Sequence, residues 1–143
     1  MKIKKKIITF SISLLIIVGS VTGVFASYVY GTSYQTVSMV DIPGGGKAKY
    51  NMTLGSKKAT NENFATFLKT YGEAMLGNFG VLVNSSKDAM TGGVGMPLNT
   101  PVPTQEHGCS KGTVYYLAVL SSTIEPSNTC DVTVKFSADN LKK

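Results

Sequence analysis

The sequence predicts a mainly β domain, an antiparallel β-sandwich or small barrel of about six to eight short strands. Three observations carry that reading. Short runs of alternating apolar and polar residues recur between residues 35 and 137. Clusters of Gly, Pro, Asn and Ser break these runs. β-Branched and aromatic residues are concentrated inside the runs. One short helix near residues 61–76 is the alternative element.

The chain opens differently. Lys2, Lys4, Lys5 and Lys6 form a compact positive region, and Ile7 to Phe25 follow without a charge. Val24-Phe25-Ala26 then offers small or permissive residues where a signal peptidase reads, with cleavage expected between Ala26 and Ser27. Charge, apolar run and small-residue exit in that order mark a secretory signal. The apolar run is close to the roughly 20 residues that span a bilayer, so an uncleaved anchor is the alternative. The polar sequence after Ala26 favours cleavage. The expected organisation is a signal peptide over 1–26 and a single exported β domain over 27–143, secreted or held at the cell surface.

The signal segment also skews the charge. The whole chain has 14 basic residues, all lysine, against 8 acidic ones, for a net charge of +6; without the four lysines at the start the balance is +2. That is no electrostatic footprint for nucleic acid. The absence of Arg removes the side chain best suited to bidentate phosphate and base contacts. An Arg-free, Trp-free, Lys- and Asn-rich composition fits an AT-rich genome and, with the short lysine segment, a Gram-positive bacterium. In a eukaryotic secreted protein Asn51, Asn84 and Asn128 would be glycan acceptors.

Tyr28 to Tyr34 reads as an aromatic arm or short strand. Gln35 to Ile42 is a strand that stops at Pro43-Gly44-Gly45-Gly46. Lys47 to Leu54 alternates cleanly, with Ala48, Tyr50, Met52 and Leu54 on one face. These two runs are expected to form a hairpin, and Gly55-Ser56-Lys57-Lys58 ends it. Over residues 63–76, Phe64, Phe67, Leu68, Tyr71 and Met75 fit helical spacing with Gly77 as a stop. The density of Phe and Thr, and Gly72 inside the run, favour a strand. Phe79 to Asn84 reads as a short strand. The Gly- and Pro-rich passage from Ser85 to Gly112 is too long for a structureless connection, so a short strand is expected near Val94 to Leu98. Gly112 to Ser121 is apolar on both faces, which suits a central strand. Cys130 to Ser137 alternates Val132, Val134 and Phe136 with Thr133, Lys135 and Ser137, and is expected to close a C-terminal hairpin.

Cys109 and Cys130 are the only cysteines. In an exported domain such a pair is expected to form a disulfide, closing a loop of about 20 residues worth roughly 3 kcal/mol on the chain-entropy model. The competing reading is a nucleophilic Cys109 served by His107.

Little else points to catalysis. One histidine cannot build a multi-histidine metal site. The acids Asp41, Glu62, Glu73, Asp88, Glu106, Glu125, Asp131 and Asp139 are scattered, mostly beside turn residues where carboxylates are ordinarily solvated. Gly44-Gly45-Gly46-Lys47 lacks the spacing of a phosphate-binding loop. No catalytic, cofactor-binding or metal residue is assigned, and no cofactor is expected. The functional expectation is a non-enzymatic binding or structural module with an unidentified protein or cell-surface partner, without nucleic acid, and touching membrane only through the signal segment. A bacteriocin-like or antimicrobial effector is the alternative, and a small extracellular hydrolase a more remote one.

Overall fold

The computed structural model describes residues 34–126 and 129–140. The expected signal segment, with Ala26 and Ser27, lies outside them, as do the expected aromatic arm before Tyr34 and the sequon residue Asn128.

Eight strands follow one another: β1 (Gln35–Ile42), β2 (Ala48–Lys57), β3 (Phe64–Gly72), β4 (Asn78–Val83), β5 (Val94–Gly95), β6 (Val102–Gln105), β7 (Val114–Ser121) and β8 (Cys130–Ser137). They make two antiparallel four-stranded sheets, ordered β1-β8-β3-β6 and β2-β7-β4-β5. The inner faces share one core: Val37, Met39, Ile42, Phe67, Val132, Val134 and Phe136 from the first sheet meet Leu82, Tyr115, Leu117 and Val119 from the second. The fold is the expected mainly β sandwich.

Alternation explains the strands. β8 buries Cys130, Val132, Val134 and Phe136 and leaves the residues between them half-buried. β7 is central in its sheet, as its two apolar faces require. Residues 63–76 contain β3 and no helix. The reason lies in which residues are covered. β3 turns Ala65, Phe67 and Lys69 inward with a period of two, whereas Phe64, Tyr71 and Met75 of the helical stripe are all exposed. Gly80 in β4 makes room for this packing, since a Cβ there would lie 2.9 Å from Met96 Sδ and 3.0 Å from the Phe67 ring.

Neither expected hairpin forms. β1 and β2 lie in different sheets, and so do β7 and β8. A tight two-residue turn would keep sequential strands in one sheet. The longer connections over 43–47 and 122–129 instead carry the chain from one layer to the other. In the first of these, Gly46 has φ +78° and faces Thr123, where a Cβ would come within 2.8 Å of Cγ2. The passage 85–112 also changes layer. It holds β5 in one sheet and β6, which the sequence reading did not anticipate, in the other. Isolated bridges pair Val83 with Ala89, Lys69 with Leu98 and Thr91 with Glu106.

Candidate functional site

Three chain segments end at one pole of the sandwich. β2 runs into Lys58, whose N–H donates to the Thr113 carbonyl at 2.9 Å. β6 runs into Glu106, whose N–H donates to the Asn63 carbonyl at 2.8 Å. β8 runs into Ala138 and Asp139; the Ala138 N–H donates to Ser56 Oγ at 2.9 Å, and Thr66 Oγ1 donates to the Asp139 carbonyl at 3.0 Å. These backbone ties bring one amine and two carboxyl groups together from positions far apart in sequence.

The charged groups are sealed inside. The Lys58 side chain is 1% exposed and those of Glu106 and Asp139 are 0% exposed. Lys58 Nζ lies 2.7 Å from Glu106 Oε1 and 3.6 Å from Asp139 Oδ1, and donates to the Ala138 carbonyl at 2.8 Å. Asp139 is held tightly. Its Oδ1 accepts the Thr60 N–H at 3.0 Å and the Thr60 hydroxyl at 2.7 Å, and its Oδ2 accepts the Ala59 N–H at 2.9 Å. Neither carboxyl oxygen of Glu106 accepts a well-aligned hydrogen bond.

Two carboxyl groups around one ammonium leave a buried negative charge unless one carboxyl is protonated. Burial pushes the Glu106 carboxyl above the usual range, and the Asp139 charge adds to this, although Lys58 pulls the other way. The site therefore favours a shared proton. Buried acids were not legible as such: Glu106 and Asp139 sit beside turn residues and read as solvated, and Lys58 reads as the end of a hairpin. The one available signal was the inward alternation of Ser56 continuing to Lys58, both buried.

The cysteines are not bridged; both are free. Cys109 lies three residues past Glu106, with its thiol beside Glu106 and Tyr115. Cys130 starts β8, opposite Ile42 of β1, while Asp139 lies beyond that strand's other end. The eight residues of β8 span roughly 25 Å at ~3.3 Å each, whereas a disulfide needs Cα atoms within about 7 Å. The two thiols belong to opposite poles, which overturns the expected Cys109–Cys130 bond.

Nor does Cys109 make a reactive pair with His107. The His107 side chain is exposed. Burial, followed by the charge of Glu106, pushes the Cys109 thiol up to about 11. At neutral pH it is a thiol rather than a nucleophilic thiolate.

Cys130 takes part in a second polar cluster at the far pole. Lys69 Nζ donates to Asn78 Oδ1 at 3.2 Å, and Asn78 Nδ2 donates to Cys130 Sγ at 3.8 Å. Burial lowers the pKa of Lys69. This amine has an amide for its partner, unlike Lys58 with its carboxyl groups. Among the described residues no group of three or more His, Cys, Asp or Glu side chains could hold a metal ion.

No protein-family model, curated protein or solved structure matches this chain. What the site can do has to be argued from its own atoms. An ammonium, a well-oriented carboxyl group and a second carboxyl able to carry a proton, all sealed from water, can exchange protons with one another. Their side chains expose at most 1% of their surface.

Proposed function

We propose that this chain is an exported, non-enzymatic β-sandwich module with a structural or binding role at the cell surface. The burial of the Lys58–Glu106–Asp139 cluster carries this reading. These three ionisable side chains face inward, where they join the chain after β2, β6 and β8. Catalytic groups are placed where substrate can meet them; these three join parts of the protein to each other. The N-terminal lysines, apolar run and Val24-Phe25-Ala26 support export.

Two measurements test the proposal. N-terminal sequencing of the protein recovered from the medium or cell surface should begin at Ser27; recovery only from the cytoplasm would overturn the export reading. Purified mature protein should neither inhibit related bacteria nor release dye from anionic liposomes. Either activity would move the assignment to an antibacterial effector.

A further inference from the structure

The pole that holds Lys58, Glu106 and Asp139 has the components of a chemical reaction as well as of an ion pair. An amine and a carboxyl group, both buried, are held 3.6 Å apart, Nζ to Oδ1, and a second buried carboxyl lies 2.7 Å from the amine. The carboxyl of Asp139 cannot turn away, because three donors from Ala59 and Thr60 fix both of its oxygens. Two of those donors are the backbone N–H groups that directly follow Lys58, so the amine and its target are positioned by one stretch of chain. Glu106 has no competing well-aligned hydrogen bond. From this geometry we propose that Lys58 and Asp139 condense to an intramolecular amide bond, with Glu106 as the proton carrier.

The step balances without a cofactor. Lys58 gives a proton to the Glu106 carboxylate and becomes a neutral amine. Its Nζ lone pair attacks Cγ of Asp139 while Glu106 returns the proton to an Asp139 oxygen. The other oxygen takes up the negative charge of the tetrahedral intermediate. The Ala59 and Thr60 donors are already aimed at that carboxyl, as electrostatic stabilisation requires. Glu106 then accepts a proton from the nitrogen and delivers it to the departing hydroxyl. The C–O bond breaks, one water leaves, the oxyanion collapses to a carbonyl, and Glu106 is again a carboxylate. Nothing is oxidised or reduced.

The environment supplies the direction. In water, condensation of an ammonium with a carboxylate is unfavourable because both ions are well solvated. Here both are buried, where an ion loses its solvation, and the bond replaces them with a neutral amide. Preorganised contact supplies the rate, as in other well-oriented intramolecular reactions. A raised Glu106 pKa suits a group that must hold and release a proton. Lys69, at the other pole, has an amide partner and no adjacent acid among its hydrogen-bond partners, so it has no equivalent reaction.

The inference does not rest on the cell-surface role, and its test reads mass alone. Intact-mass measurement of the folded protein should give a value one water below that of its sequence, about 18 Da, and fragmentation should find the peptides of Lys58 and Asp139 joined. Asp139→Asn should form the same product by losing ammonia, so its final mass should equal that of the wild type. Lys58→Met and a folded Glu106→Gln should keep their full sequence masses. A folded wild type at full mass would overturn the proposal. So would a Lys58→Met variant that still lost water, since the loss would then lie elsewhere, for example in a cyclised Asp side chain.

Discussion

At the scale of single residues, Thr60 shows how the buried cluster is held. Its hydroxyl donates to Asp139 Oδ1 at 2.7 Å and accepts the Glu62 N–H at 3.2 Å. Thr60→Val keeps the shape and removes the donor. A buried hydrogen bond contributes roughly 0.5–1.5 kcal/mol net, whether its acceptor is a carboxyl or an amide oxygen, so urea unfolding of Thr60→Val should show a loss of about 1 kcal/mol or more. Cys109 gives a pH-dependent test. Its thiol titrates near 9.0 when unperturbed and is pushed up to about 11 in the fold. Between those values the unfolded chain has released a proton that the folded chain keeps. The stability due to this thiol is therefore complete below pH 9.0, and falls as pH rises through the folded value. Stability of Cys109→Ser, measured at pH 7 and pH 10, should decline less than that of the wild type. An equal decline would mean that the thiol is not held in its neutral form.

At the scale of elements, the packing of β3 against β4 depends on Gly80. A methyl group there would meet the flexible sulfur of Met96 and the ring of Phe67, which is fully buried and cannot yield. Gly80→Ala should destabilise the protein by about 1–3 kcal/mol, the usual cost of overpacking, with a lower thermal midpoint as the readout. The same elements show what a sequence discloses. β8 was plain because Val132, Val134 and Phe136 alternate with polar neighbours, and periodicity is a local property. β3 was ambiguous because Phe64, Phe67, Leu68, Tyr71 and Met75 satisfy a helical period, and only tertiary burial of Ala65, Phe67 and Lys69 selects the strand. The expected hairpins do not form because neighbouring strands with good turn signals can serve different layers. Turn residues report that the chain bends, not which sheet it enters.

At the scale of the molecule, the poles matter more than the strand count. One gathers Lys58, Glu106, Asp139 and Cys109; the other gathers Lys69, Asn78 and Cys130. Their distance apart is what keeps the two thiols free. Titration with a thiol reagent in denaturant, without reductant, should find two thiols per chain; finding none would restore the disulfide. The sandwich class could be read from the sequence, whereas the candidate site could not. Each of its three charged members is unremarkable among its own neighbours and acquires meaning only when β2, β6 and β8 end together.

The placement of Lys58 and Asp139 has a mechanical consequence. The first stands just after β2 and the second just after β8, so a bond between them encloses β3 to β8 in one covalent ring. Tension applied at the chain ends then passes directly from residue 58 to residue 139. The 80 residues between them, about 280 Å of extended chain, cannot be drawn out. Only β1 and β2, which precede the ring, remain able to peel away under load.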